Sequence, residues 1–358
     1  MADRYARQMR LPEWGEAGQA TLRQAKVLVA GLGGLGAPVA HALAAAGIGT
    51  LGLLDRDNVD VTNLHRQPLY ATADVGRPKA QAAADRIAAV NPDIQVRKLN
   101  MQVSRHTVAK AVAGYDLVVD GLDDLDGRYA LSDACTAAGI PHVVGALAGG
   151  WEGQAAVFAP GGPCYRDLHP EPPAAAGPTC ADEGVFAPVA GAVAQVLAGE
   201  AIKALLDLPG LAGRLWLLDG RTWATRTITL KHRPGCRCHV SKTPTHDLPP
   251  EGAPVACPLP WAAPDVPVVL AETLRGHESE VFLLDVREPD EWEEAHIDGA
   301  TLIPLGSLQR RLSEVPKDRQ VVVYCAVGGR SARATHFLRG HGVEAVNLHG
   351  GIRAYLSA

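Results

Sequence analysis

Nothing at the start of this chain resembles an export signal: M-A-D-R-Y-A-R-Q-M-R carries charges throughout and lacks an apolar core. Long hydrophobic runs are also missing. The most apolar stretch, Val189 to Leu206, is interrupted by Gln195, Glu200 and Lys203, so it reads as a buried helix and not as a membrane span. There is no basic stripe with interleaved aromatics, and a formal net charge of −5 over 358 residues argues against a general nucleic-acid binder. The seven cysteines are an odd number scattered over two regions, which argues against a disulfide framework. A reducing cytoplasm is therefore the expected compartment, where cysteines matter as thiolates or metal ligands. A signature of disorder is absent too: 47% hydrophobic and 20% charged residues are ordinary for a soluble globular protein. The length is more than one core usually organises, so two domains are expected.

What is present centres on Lys26 to Asp55. Val27 to Ala30 is a short apolar strand ending on Gly31; Ala37 to Ala46 is alanine-rich, favours helix and is closed by Gly47. A second strand, Thr50 to Leu54, ends on Asp55, completing a βαβ nucleotide-binding unit around G-L-G-G-L-G. Gly31 allows the tight turn, Gly33 and Gly34 let phosphate approach the backbone, and Gly36 lets helix pack close to strand. The helix N-terminus then faces an anion. Further strands are expected over Tyr115 to Asp120 and His142 to Ala146, and helices over Lys79 to Val90 and Arg128 to Ala138. This alternation predicts an α/β fold with a Rossmann-like, mainly parallel sheet.

The glycine loop alone leaves NAD and ATP both open. Ligands in open α/β sheets sit beyond the carboxyl ends of the strands, which gathers Asp55, Asp57, Asp120, Asp123 and Asp124 around the loop. Hydride transfer needs no such cluster, whereas acids beside a nucleotide phosphate are what magnesium requires. The intervening Asn63, Arg66 and Lys79 are donors able to hold a triphosphate and stabilise charge on departing pyrophosphate.

The run R-Y-A-R-Q-M-R-L-P, the glycine loop, L-D-R-D-N-V-D-V-T-N-L-H-R-Q, Lys79 in G-R-P-K-A and R-Y-A-L-S-D-A-C together resemble the sulfur-carrier-protein adenylyltransferases, relatives of the ubiquitin-activating enzymes. The resemblance covers roughly residues 4 to 240. It implies adenylation, with ATP and magnesium, of the C-terminal glycine of a small ubiquitin-like carrier ending in Gly-Gly. Asp55 would hold the ribose and Gly34, Asn63, Arg66 and Lys79 the phosphates, with Asp57, Thr62 and Gln67 also in the ATP site. Asp123 would position magnesium. Arg7 would reach into a partner subunit's site, which implies a homodimer. The family's usual Asp-Asn is Asp123-Asp124 here, and the extra negative charge weakens ATP binding unless Asp124 faces away. Cys180, in P-T-C-A-D-E-G-V, matches a crossover-loop cysteine that handles the activated carrier; a small buried residue is the alternative. The family's zinc site of two C-x-x-C pairs is degraded to C-Y-R-D and C-R-C-H. Cys164, Cys236 and Cys238, with His239 or Asp167, are the remaining candidate ligands.

The texture changes beyond Lys231, and residues 241–267 read as a proline-rich linker. Residues 268–358 resemble a rhodanese sulfurtransferase, a small α/β domain, through D-V-R-E-P-D-E-W-E-E-A-H-I-D-G-A, C-A-V-G-G-R-S and L-H-G-G-I. Cys325 ends a strand and opens a loop in which backbone N–H groups, Gly328, Gly329 and the charge of Arg330 favour a thiolate or persulfide. Thiosulfate or a persulfide is the expected donor. Asp285, Arg287 and His296 are expected to brace the fold. The whole chain (1–240, linker, 268–358) reads as an enzyme that adenylates a carrier and then delivers sulfur from Cys325. Two alternatives are an NAD-dependent oxidoreductase and a non-catalytic adaptor for a ubiquitin-like partner.

Overall fold

In the computed structural model the chain divides into two compact units. The structure describes residues 4–170, 184–234, 236, 266–326 and 328–357. In the first unit, Lys26–Ala30 (β1), Thr50–Leu54 (β2), Gln95–Leu99 (β3), Leu117–Asp120 (β4) and His142–Ala148 (β5) form the parallel part of a sheet in the order β3-β2-β1-β4-β5. The chain moves outward from β1 in one direction and then returns to the other side at β4. This switch opens a crevice at the carboxyl ends of β1 and β4, where ligands bind in such sheets.

Around the sheet run Gly15–Gln24 (α1), Gly36–Ala46 (α2), Lys79–Val90 (α3), Val108–Val112 (α4), Leu125–Ala138 (α5), Tyr165–Leu168 (α6) and Ala187–Leu205 (α7). Helix α2 ends at Gly47 and α5 at Gly139, both in the left-handed conformation that glycine adopts without a Cβ clash. Helix α7 is long and apolar enough to cross a membrane by length and composition. Its Val189, Ala190, Val193, Ala194, Leu197 and Ala201 are fully packed in the core against α2, β5 and β6, which explains the apolar run as the interior helix read from sequence.

The sheet continues beyond β5 through Glu152–Phe158 (β6), Arg214–Asp219 (β7) and Ala224–Thr229 (β8), all antiparallel. Of the strands unread in the sequence, β3 and β8 share one reason. At the two edges, β3 (Q-V-R-K-L) and β8 (A-T-R-T-I-T) leave most or all of their side chains exposed, so the hydrophobic alternation that marks a strand is absent.

The second unit carries Val268–Val269 (β9), Ala271–Leu274 (α8), Phe282–Asp285 (β10), Pro289–Glu294 (α9), Thr301–Leu302 (β11), Val321–Tyr324 (β12), Gly329–Gly340 (α10), Ala345–Leu348 (β13) and Gly351–Ser357 (α11). Its sheet, β11-β10-β12-β13-β9, is wholly parallel. The central strand β12 sends Val321 and Val323 into one hydrophobic cluster and Val322 and Tyr324 into another. A strand buried on both faces reads as a continuous apolar run, as V-V-V-Y does.

Candidate functional site

Tight backbone packing shapes the glycine loop. A Cβ at Gly36 would lie 1.7 Å from the Gly31 carbonyl oxygen, and one at Gly31, whose φ is +79°, would meet the Gly121 backbone at 2.9 Å. These two glycines therefore let α2 start directly over the end of β1, with β4 alongside. Asp55, at the end of β2, braces this turn: Oδ2 accepts the Leu32 N–H at 2.7 Å and Oδ1 accepts the Asp57 N–H at 2.8 Å. Burial raises its pKa, against the lowering pull of Lys79 and the two N–H groups. Each oxygen retains a lone pair, so the brace leaves acceptor capacity for a ribose hydroxyl.

Lys79 reaches the site because the segment after Asp57 pairs with the residues ahead of α3. The Val59 N–H donates to the Arg77 carbonyl at 2.8 Å and the Lys79 N–H to the Asp57 carbonyl at 2.9 Å. The buried Lys79 ammonium then lies 3.1 Å from Asp57 Oδ2. Thr62 and Asn63 form a short capped turn on Asp60, whose carboxylate accepts the Thr62 N–H at 2.8 Å. Arg66 follows, donating to the Thr62 carbonyl at 3.0 Å, and its Cγ and Cδ lie 3.5 Å from where a Gly34 Cβ would be. Gln67 is buried beside Gly33, with its Oε1 lacking a partner among the described residues. Tyr70, which the sequence reading missed, fastens this segment to the loop by donating to the Leu32 carbonyl at 2.9 Å. The segment after Asp55 is thus folded back over the glycines, and the residues fit a triphosphate: open backbone at Gly33 and Gly34, and cations at Arg66 and Lys79.

The acids do not all gather as expected. Asp120 is fully buried, with Arg128 Nε at 3.4 Å and His142 Nε2 at 3.2 Å. Burial pushes its pKa up, but Arg128, His142 and the Leu122 N–H hold it below the usual range. It is structural. Asp124 caps α5 by accepting the Gly127 N–H at 2.8 Å. This corrects the reading of Asp124 as a nucleotide ligand, because its carboxylate serves the helix N-terminus. Asp123 is exposed, and no hydrogen bond or ion pair ties its carboxylate among the described residues. It is the acid left for a cation.

Near the end of this unit, ligand atoms of Cys164, Asp167 and Cys236 lie within 4.8 Å of one another, the two sulfurs 3.5 Å apart. A tetrahedral zinc with bonds of ~2.3 Å holds its thiolates about 3.8 Å apart, so three ligands fit. The Asp167 carboxylate also accepts the Cys164 N–H and the Arg233 N–H, each at 2.8 Å. It thereby ties the two halves of the site together by hydrogen bonds. Cys238 and His239 lie outside the described residues, as does Cys180.

In the second unit Cys325 is fully buried at the end of β12. Its sulfur accepts the Gly328 N–H at 3.1 Å and the Ser331 hydroxyl at 3.4 Å. Gly328, at φ +102°, turns its N–H inward, and its carbonyl is held by Asn347 Nδ2 at 3.2 Å. Arg330, whose charge the sequence reading set beside Cys325, has a partner: both terminal nitrogens donate to the Glu291 carboxylate at 2.7 Å. Asp285 and Arg287 pair with each other, and Arg287 also donates to the Glu291 and Ala295 carbonyls, which fixes α9 beside the loop.

One unit is therefore a nucleotide-binding α/β fold with a cation-lined glycine loop, and the other a parallel α/β fold that presents a cradled thiol. Residues 5–238 match the ThiF family and residues 269–358 the rhodanese-like domain, and the chain belongs to the ThiF family. It is 41% identical to a probable adenylyltransferase/sulfurtransferase MoeZ of Mycobacterium tuberculosis, covering 98% of this chain and 92% of that one. It is 36% identical to the adenylyltransferase and sulfurtransferase MOCS3 of Caenorhabditis briggsae, over 94% of this chain and 89% of the relative. A sulfur carrier protein adenylyltransferase of Thermus thermophilus is 43% identical over 65% of this chain and 89% of its own length. Among solved structures, Escherichia coli MccB superposes with a TM-score of 0.59 at 21% identity, over 66% of this chain and 75% of that one, which shows a shared fold.

Proposed function

We propose that the chain activates the C-terminal glycine of a small ubiquitin-like carrier ending in Gly-Gly as an acyl-adenylate, then converts it to a thiocarboxylate with sulfur from Cys325. A glycine carboxylate oxygen attacks the α-phosphorus of ATP, and the bond to the departing pyrophosphate breaks. Arg66 and Lys79 hold the charge that develops on that leaving group. Asp123 would hold magnesium, which would supply charge neutralisation on the phosphates. The terminal sulfur of a Cys325 persulfide then attacks the acyl carbon and AMP leaves; a second thiol cleaves the remaining S–S bond and is left as a disulfide. The observation that carries this reading is the pairing in one chain of the folded-back phosphate loop with the cradled Cys325 thiol. Tethering keeps the sulfur donor at high effective concentration near a hydrolysis-prone adenylate. The test is pyrophosphate exchange into ATP, which should appear only when a Gly-Gly-ended carrier is present. Exchange without any carrier, or NAD binding in place of ATP, sinks it.

A homodimer is part of the proposal, and the position of Arg7 supports it. Arg7 is exposed, and the adjacent Gln8 donates to the Ala46 carbonyl at 2.8 Å, at the far end of α2 from Gly36. Eleven helical residues span about 16 Å. That is beyond the reach of an arginine side chain, which supports a role for Arg7 at the phosphates of another subunit. Arg7→Ala and Lys79→Ala proteins should each be inactive alone, and mixing them should restore one working site per heterodimer, about a quarter of wild-type activity after random exchange. Failure to recover activity once subunit exchange is confirmed places Arg7 in its own chain's site.

Zinc at Cys164, Asp167 and Cys236 belongs to the same proposal, with weakened affinity because a carboxylate replaces a thiolate. Protein purified without chelator should contain about one zinc per chain and lose thermal stability when it is removed. Metal analysis that finds none means the Asp167 hydrogen bonds have taken over the role.

A further inference from the structure

The geometry points to Glu291 as the residue that sets the sulfur donor of Cys325: by matching the charge of Arg330 it favours a persulfide carried on a cysteine over inorganic thiosulfate. This rests on the sulfurtransferase reading above. The Arg330 guanidinium is nearly buried and forms a two-point pair with Glu291, NH1 to Oε2 and NH2 to Oε1, each at 2.7 Å. Planar fork-to-fork pairs of this kind are the strong ones. Oε2 also accepts the Glu288 N–H at 3.1 Å, and the Glu291 carbonyl accepts Arg287 NH1 at 3.0 Å. Arg287 in turn is locked on Asp285 at 2.7 Å. Glu291 is therefore fixed through both backbone and side chain. Burial pushes its carboxyl up, but Arg330 holds it below the usual range, so it stays ionised at neutral pH.

Both donors react through one step. The Cys325 thiolate attacks the outer sulfur of the donor, the Sγ–S bond forms and the donor's S–S bond breaks. The electron pair leaves on sulfite when the donor is thiosulfate, and on a cysteine thiolate when it is a persulfide. No net oxidation occurs in either case. The two donors differ in charge. Thiosulfate arrives as a dianion and departs as sulfite, so its binding needs a cation with spare charge. A persulfide brings at most one negative charge on its reacting group and so needs less cationic charge, while the Gly328 N–H and Ser331 hydroxyl are directed at the Cys325 sulfur itself. With Arg330 matched by Glu291, the loop stabilises its nucleophile by dipoles and offers a dianion little net charge.

Glu291→Gln removes the negative charge while keeping an acceptor for the Glu288 N–H and leaving the Arg287 contact to the backbone intact. In the full chain its KM for thiosulfate should fall about tenfold, with a much smaller change in the KM for cysteine persulfide. Glu291→Asp, which shortens the side chain but keeps its charge, should leave the thiosulfate KM at the parent value. An unchanged KM in Glu291→Gln, or an equal fall in Glu291→Asp, overturns the inference. Thiosulfate binding measured by calorimetry in a Cys325→Ala background decides the matter without turnover. A tightening of about tenfold on adding Glu291→Gln supports the charge assignment even if neither donor is consumed, in which case the sulfurtransferase reading alone fails. No tightening overturns the assignment even if both donors are consumed.

Discussion

Cys325→Ala protein is expected to exchange pyrophosphate into ATP at the wild-type rate and to form no carrier thiocarboxylate. The reason is that the two chemistries use different atoms in separate compact units. The Cys325 sulfur is the buried acceptor of the Gly328 N–H and the Ser331 hydroxyl, and removing it deletes the atom that carries the persulfide. Losing one buried sulfur costs about 1 kcal/mol of packing, too little to unfold a domain. Wild-type protein treated with thiosulfate or a persulfide donor should gain the mass of one sulfur in the peptide containing Cys325, and the variant should gain none there. Thiocarboxylate formed at the normal rate by Cys325→Ala with a persulfide donor removes the second unit from the sulfur path and makes Cys180 the candidate.

Asp123→Ala should show the reverse: sulfur accepted at Cys325, and carrier-dependent exchange reduced by a factor of about 10²–10³ or more. Its position is set by its neighbours. The Leu122 N–H donates to Asp120 Oδ1 at 2.9 Å, the Leu122 carbonyl accepts from Arg128, and Asp124 is committed to the Gly127 N–H. Asp123 is thus held out from a clamped stretch of backbone with its carboxylate exposed. Because no hydrogen bond or ion pair among the described residues depends on that carboxylate, the variant should melt at the parent temperature. A loss of exchange then reports on magnesium and phosphate. Full exchange by folded Asp123→Ala protein would falsify the assignment of Asp123 to the nucleotide site.

The parts of the fold that were legible in the sequence have local causes. Lys79–Val90 is a helix over the residues its pattern marks, and Thr50–Leu54 a strand over the residues its apolar run marks. Among the parts that were not legible are the two sheet edges and several charge partnerships. Strands β3 and β8 have exposed side chains and therefore no apolar signature. Asp124 was read as one more acid at a phosphate site, and its spacing from Gly127 is what a helix cap requires. Nothing local distinguishes the two roles until α5 is seen to begin there.

The sequence by itself determined which groups exist and how each short segment folds: the glycines that bring β1, β4 and α2 into contact, the cations that follow Asp55, and a cysteine at the end of a buried strand. Only the tertiary structure decided which charges remain available. Asp120 is consumed by Arg128 and His142, Lys79 is set against Asp57, and Arg330 is matched by Glu291 from a different helix. The physical reason is that backbone conformation depends on neighbours a few residues away. The effective charge of a side chain instead depends on its burial and on partners up to tens of residues distant, whose attraction grows as water is excluded from between them.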